Sequence, residues 1–352
     1  MIAIVLLGNA AGAYAVDYQL QTVAGGLDSP WGLGFLPNGE LLVTELAGQL
    51  RHIDAAGNLS EPIDAVPSVF RAGQGGLFDV LPDPEFATNR RIYLSYAAGD
   101  GGANATTIAR AELRDNGLTN VSVIFQVNPT KNTPQHYGGR ISWLSDGSLL
   151  LTTGDGFDFR EQAQNIESQL GKTLRMTPDG QPAAGNPFPE APYVWTYGHR
   201  NPQGLAIAQD GRVLLHEHGP RGGDEVNLIE PGHNYGWPAI TFGKDYNGAF
   251  VSPFTHWDGM QQPLHKWVPS IAPSGLAIYE GDAFPAWRGS LFVGALVDRE
   301  VRRLTLDGNT VVAEETLFAE LERRIRDVRS GPDGYLYIVT DGGDGSVIRV
   351  IP

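Results

Sequence analysis

The sequence predicts an all-β protein, a six-bladed β-propeller. Three observations carry that expectation: a composition rich in turn formers, one hairpin phrase repeated six times, and a strand-like segment near each end that can close a ring. Gly 45 and Pro 24 make up about a fifth of the 352 residues. That is too much for a helical protein and ordinary for one full of turns. Hydrophobic residues are 41% and charged residues 18%, enough apolar material for a core and too little charge for a disordered chain.

The phrase is a small-residue entry, a short apolar stretch, a turn and a second apolar stretch. It runs first from Pro30 to Thr44, with Asn38-Gly39 at the turn. It returns at Gly75 to Pro84, leading to Ile92–Tyr96, and at Gly138 to Thr152 around Asp146-Gly147. The fourth copy spans Pro202 to Leu215 around Asp210-Gly211. The fifth is Pro273 to Tyr279 with its partner at Ser290 to Gly294, and the sixth spans Ile325 to Thr340 around Asp333-Gly334. Asn-Gly or Asp-Gly between apolar runs is the strongest local hairpin signal, and four copies carry it. Equivalent positions 33, 77, 140, 205, 276 and 328 lie 44, 63, 65, 71 and 52 residues apart. Each interval holds roughly four short strands plus loops. Ring closure leaves no open sheet edge, and residues 18–23 and 346–351 are the candidates to complete the last blade. Residues 160–170 and 313–323 are the two short helical candidates. A pair of β-sandwiches is the alternative, but it does not predict six copies of one hairpin.

Charge and cysteine usage narrow the function. Asp+Glu 40 against Lys+Arg 25 gives −15, and no long basic run exists, so nucleic acid and anionic membrane are not expected partners. With Cys 0 there are no disulfides, thiolate metal sites or thiol nucleophiles. Nothing approaches about 18 consecutive apolar residues, so no membrane span is expected. Ile2 to Leu7 followed by Ala13-Tyr14-Ala15 reads as the apolar region and cleavage site of a secretory signal. Its n-region is atypical, since no Lys or Arg precedes Arg51. The expected organisation is a signal peptide over 1–15 and one propeller domain over 16–352, located in the periplasm or secreted.

Propellers bind ligands where their innermost strands begin, at one mouth of the central channel. The residues just before each first apolar stretch are Gln74, His136, Arg200 with Asn201, Ser274, and Arg324 with Arg326. Three guanidiniums, an imidazole and two amides suit a carboxylate-bearing ligand, because Arg grips carboxylates bidentately. Asp155, ending the next strand of the third repeat, is placed to orient His136. His216-Glu-His218-Gly219-Pro220, with Asp224 and Glu225 beyond it, is a turn whose hard oxygens suit Ca²⁺. His216 and His218 also read as an ordinary same-face strand pair. Asp158, Arg160 and Glu161 read as a solvated loop, and the Asn234-to-Pro238 run as packing.

At these residues the chain resembles the soluble PQQ-dependent glucose/sorbosone dehydrogenases, particularly the bacterial aldose sugar dehydrogenases. The matching phrases are Gly73-Gln-Gly-Gly-Leu77, His136-Tyr-Gly-Gly-Arg140, Thr153-Gly-Asp155, Gly198-His-Arg-Asn-Pro-Gln-Gly-Leu205, the run from His218 to Asn227, Asn234-Tyr-Gly-Trp-Pro238 and Arg324-Ile-Arg-Asp-Val328. The resemblance implies pyrroloquinoline quinone (PQQ) and Ca²⁺ as cofactors and an aldose sugar as substrate, with an unspecified electron acceptor. It implies His136 as general base, Asp155 fixing its tautomer, Arg200 beside the reactive quinone carbonyl, and Asn201 and Gln74 as cofactor contacts. Arg324 and Arg326 would hold PQQ carboxylates. The carbonyls of Gly219 and Pro220 would ligate Ca²⁺, with Asp224 and Tyr235 behind them. The chain departs from the pattern at Val297, where the family usually has Lys or Arg; Arg299 or Arg302 are the nearby substitutes. A Ca²⁺-dependent propeller lactonase and a non-catalytic binding propeller are the rival readings. The first calls for carboxylates at the mouth, and the second leaves His136 and Asp155 unexplained.

Overall fold

The computed structural model describes residues 16–115 and 117–352; the expected signal peptide lies outside them. They form six antiparallel sheets in a ring. The innermost strands are Pro30–Phe35, Leu77–Pro82, Ile141–Trp143, Pro202–Ile207, Pro273–Ile278 and Ile325–Ser330. We number the blades 1 to 6 in that order. Blade 1 has three strands and the others four. All four Asn-Gly and Asp-Gly hairpins share one turn. Gly39, Gly147, Gly211 and Gly334 have φ between 80° and 88°. Their N–H groups donate to the carbonyls of Leu36, Leu144, Ala208 and Gly331 at 2.9–3.0 Å. Only glycine takes such φ values without strain.

The ring closes as the two chain ends predict. Gln19–Leu27 pairs antiparallel with Gly345–Ile351 as the outermost strand of blade 6, from Gln19 opposite Ile351 to Leu27 opposite Gly345. Apolar layers fill the space between blades. Blades 5 and 6 bury Trp287 among Tyr279, Phe284, Phe292 and Phe318, with Phe284 stacked on it at 4.2 Å. Each such side chain contributes on the order of 1.5–3 kcal/mol.

Neither helical candidate forms as expected. Residues 310–317 are a strand whose Glu314 and Glu315 meet Arg302 and Arg303 across the sheet. Phe318 and Glu322 then turn at positive φ around one 3₁₀ turn, Ala319–Leu321. Over 160–170 only Arg160–Ala163 is helical, again 3₁₀. There the carbonyls of Gln162, Ala163 and Leu170 point at the buried ammonium of Lys172, so they are not free to continue a helix.

A buried ionic network fills the channel. Asp327 of blade 6 accepts from Arg140 Nη1 at 3.0 Å and Arg329 Nε at 2.8 Å. Asp79 of blade 2 accepts from Arg329 Nη2 at 2.8 Å and lies 3.6 Å from Arg140. Leu33 N–H of blade 1 donates to Asp327, and Arg140 Nε donates to the Gln203 carbonyl of blade 4. Arg140 also lies over the Trp31 ring at 4.0 Å. Two carboxylates and two guanidiniums balance. Removing one leaves a buried charge uncompensated, which costs far more than the intact network contributes. Arg140→Leu is therefore expected to lose about 3–5 kcal/mol of unfolding free energy. Urea denaturation checks this, and a loss below about 1 kcal/mol, the scale of an exposed ion pair, would contradict it.

Candidate active site at the channel mouth

His136 sits in the segment that enters the inner strand of blade 3. Its φ is 50°, and it is almost completely buried. The conformation is held from two sides. Its N–H donates to Gln74 Oε1 at 2.8 Å. Its carbonyl lies against Gly154, where an added Cβ would come within 2.2 Å of that oxygen. Glycine is required at 154 by this close approach.

The imidazole is fixed by Asp155. Nδ1–H donates to Asp155 Oδ1 at 2.7 Å, leaving Nε2 as the bare, accepting nitrogen. Asp155 is itself fully buried. Its Oδ1 also accepts the Phe157 N–H at 2.8 Å, and its Oδ2 the Trp237 Nε1–H at 2.7 Å. Three donors fix its orientation. Burial pushes the His136 pKa down. Asp155 pulls it up, Arg200 and Lys131 push it further down, and the net shift is downward. The imidazole is neutral, and so basic, at neutral pH.

Arg200 lies on the neighbouring turn and is buried. Its Nη1 donates to the carbonyls of Gly219 at 2.6 Å and His218 at 3.2 Å, and its Nη2 to the Tyr246 hydroxyl at 3.3 Å. A cavity of about 170 Å³ is lined by His136, Arg200, Phe157, Asp158, Arg160, Pro220, Trp237, Asp245, Tyr246 and Val251. Phe157 stands edge-on to the imidazole at 5.1 Å and stacks on Tyr246 at 6.3 Å. Beside it, a larger cavity of about 860 Å³ is lined by His218, Gly219, Pro220, Tyr246, Val268 and Val297, among others.

The other expected residues fall as follows. Asn201 is buried and its Oδ1 accepts the Gly138 N–H at 3.2 Å. Arg324 and Arg326 share Asp341, at 2.8 Å and 3.5 Å. Burial raises the Asp341 pKa, but the charges of these two arginines outweigh it and the net shift is down. Asp224 accepts the Gly219 N–H at 2.8 Å and, through its other oxygen, the Ile271 and Ala272 N–H groups, pinning the turn to blade 5. Tyr235 stacks on His199 at 4.8 Å and lines a small void with Gly219. Ser274 does not face the mouth: its Oγ donates to the Ile325 carbonyl and ties blade 5 to blade 6. Arg302 cannot stand in for a cation at Val297, because Asp298, Glu300 and Glu314 engage it on the outer side of blade 5.

Several residues of the site were not foreseen. Trp237 does more than pack, since it orients Asp155. Asp158 and Arg160 lie on an exposed loop, as expected, but also line the cavity that His136 and Arg200 share. Two buried lysines flank the pair. Lys131 donates to Asn104 Oδ1 at 3.0 Å and to the Thr133 carbonyl, and lies 3.4 Å over the Tyr137 ring. Burial drives the Lys131 and Lys172 pKa values down to about 7, opposed by the charge of Asp155. Buried lysines next to an aspartate turn were not separable from surface lysines by sequence pattern.

Comparison with known proteins bears directly on this site. The sequence profile described as Glucose / Sorbosone dehydrogenase matches residues 27–349. The chain belongs to this family. Aldose sugar dehydrogenase YliI of Escherichia coli (strain K12) is 39% identical, covering 100% of this chain and 98% of its own. The structure of the soluble aldose sugar dehydrogenase from Escherichia coli in the apo-form superposes with a TM-score of 0.91 at 40% identity, covering 96% of this chain and 100% of that one. The PQQ-bound form of aldose sugar dehydrogenase from Streptomyces coelicolor superposes with a TM-score of 0.80 at 32% identity, covering 96% and 99%. Both superpositions span nearly the whole chain.

NMR titration of the histidine rings tests the electrostatics. His136 is expected to titrate below 6.5, and Asp155→Asn to lower its midpoint further, because the charge that raises it is removed. A midpoint above 6.5, or a rise in the variant, would contradict this account.

Proposed function

We propose that the chain is an exported, PQQ-dependent dehydrogenase that oxidises the anomeric carbon of aldose sugars to aldonolactones. One observation carries the reading: His136, locked by Asp155 with Nε2 bare, shares a cavity with Arg200 in a chain of the glucose/sorbosone dehydrogenase family. The proposed location is the periplasm or outside the cell, following the signal-like N-terminus; among the described residues no helix is long and apolar enough to cross a membrane.

The residues fit the two cofactors. A tricarboxylate needs cations, and the mouth offers Arg200, Arg324 and Arg326. His218 supports the fit, since its buried Nε2 has no hydrogen-bond partner among the described residues and the residue lines the larger cavity. The Gly219 and Pro220 carbonyls are hard, neutral oxygens suited to Ca²⁺. Two such ligands are too few alone, so the site fits Ca²⁺ only with cofactor and water oxygens completing the shell. When bound, PQQ supplies a two-electron, hydride-accepting quinone and Ca²⁺ the Lewis acidity that polarises it. Gln74, Asn201, Arg324 and Arg326 would hold the cofactor.

This chain's own work is proton transfer and placement. His136 Nε2 takes the proton from the sugar's C1 hydroxyl as the C1 hydrogen departs with its electron pair. Asp155 stabilises the imidazolium that results and keeps the ring from flipping. Trp237 and the Phe157 N–H keep Asp155 from turning away. Arg200, held by the Gly219 turn, would stabilise negative charge developing on a bound quinone. Phe157 and Tyr246 supply flat apolar faces for a sugar ring, and Asp158, Arg160 and Asp245 supply polar partners for its hydroxyls. The lactonase reading is disfavoured because the carboxylates Asp155, Asp245 and Asp341 at the mouth are each paired with a histidine or an arginine.

His136→Ala is expected to bind PQQ yet lose at least about a hundredfold in dye-linked turnover, the low end for removing a general base. Near-normal turnover at saturating cofactor would contradict the assignment. Protein stripped with chelator is expected to regain turnover only when PQQ and Ca²⁺ are both returned. Full recovery with PQQ alone in metal-free buffer would remove Ca²⁺ from the account.

A further inference from the structure

The larger cavity carries a pair of cations that the proposed chemistry leaves without a role. Arg221 and Lys244 face one another across a two-residue bridge: Arg221 N–H donates to the Lys244 carbonyl at 2.8 Å, and Lys244 N–H to the Arg221 carbonyl at 3.3 Å. Both line the cavity of about 860 Å³ with Gly219, Pro220, Val268 and Val297. Among the described residues neither side chain is in an ion pair, although the chain carries a formal charge of −15. Lys244 extends over the Phe250 ring at 4.9 Å. Arg221 directly follows the Gly219-Pro220 turn, whose position is set by Asp224.

The other cations at the mouth are already engaged. Arg324 and Arg326 share one carboxylate, so that corner holds one net positive charge. Arg200 is occupied by two carbonyls and a phenol. In the same lining Val297 is 58% exposed and offers no charge. Two adjacent, uncompensated cations beside apolar Val268 and Val297 suit a carboxylate attached to a flat organic body. The guanidinium can grip both of its oxygens while the ammonium adds a point charge.

We propose that Arg221 and Lys244 form a carboxylate clamp, contributing from blade 4 the cation that blade 5 lacks at Val297. The inference rests on the functional reading above, which makes a PQQ carboxylate its first ligand. The carboxylate of an acidic sugar is the other source of the same chemistry.

The test compares the wild-type chain with the double variant Arg221→Gln/Lys244→Gln. Tryptophan fluorescence follows titration with PQQ at fixed Ca²⁺ and, separately, with glucuronate. Both side chains are exposed, so the fold is expected to hold, and matching thermal melts verify it. A PQQ Kd at least about tenfold weaker, the scale of a lost charged hydrogen bond, supports the clamp with the cofactor as ligand. Its salt dependence would also be shallower. An unchanged PQQ Kd with glucuronate binding weakened to a similar degree supports the clamp with the substrate as ligand. The charge-conserving pair Arg221→Lys/Lys244→Arg is expected to keep most of the affinity in either case. If neither ligand distinguishes the double variant from wild type, the clamp is wrong. If the wild-type chain does not bind PQQ at all, the functional reading fails, and the glucuronate titration still decides the clamp.

Discussion

The ring is held at its axis by charge. Asp79, Arg140, Asp327 and Arg329 sit where a propeller channel would otherwise be open, and their hydrogen bonds reach blades 1, 2, 3, 4 and 6. Buried charges of this kind add little net stability over apolar packing, but they tolerate only one arrangement of their neighbours. Gly32 illustrates the constraint, since an added Cβ there would lie 2.7 Å from Asp79 Oδ1. The functional mouth inherits this precision. Arg140 ends the segment that begins with His136, and Asp327 follows Arg326, so the network places a residue of the site at each of two blade entrances.

Above the network, electrostatics reverse sign relative to the protein surface. The chain as a whole is strongly acidic, yet the mouth collects Arg200, Arg221, Lys244, Arg324 and Arg326. Asp155, Asp158, Asp245 and Asp341 lie there too, but Asp155 is committed to His136 and Trp237, Asp245 to Arg160, and Asp341 to Arg324 and Arg326. An acidic exterior with a cationic mouth favours anionic ligands at the mouth alone. The same field helps keep His136 neutral, because Arg200 and Lys131 reinforce the effect of burial. A base that remains unprotonated while lying next to a fixed carboxylate is what proton abstraction from a sugar hydroxyl requires.

Much of this was legible in the sequence, for a definite reason. Ring symmetry converts a repeat position into a spatial position, so residues before each first strand could be assigned to one mouth without knowing any contact. Gln74, His136 and Arg200 were found that way, and Asp155 as the residue that ends the next strand of the third repeat. Ser274 occupies the same repeat position but turns its hydroxyl to blade 6, because register does not determine where a short side chain points. Trp237, Asp245, Tyr246 and Lys244 lie in the long excursion of blade 4, outside the repeat, where no periodicity relates them to the channel. The mistaken helix at 313–323 had a similar origin. Its Glu and Ala residues favour helix locally, but pairing with Val301–Asp307 and the ion pairs of Arg302 and Arg303 override that preference.

The central claim is that this mouth oxidises sugars through a bound quinone with His136 as the base. It is tested most directly by the absorption spectrum of the protein loaded with PQQ and Ca²⁺, recorded without oxygen before and after adding an aldose. The account predicts that the oxidised-quinone band disappears in stoichiometric amount on adding sugar, and more slowly when the sugar carries deuterium at C1. A band that persists in the loaded wild-type protein across a range of aldoses, or one whose loss is indifferent to deuterium at C1, would contradict it.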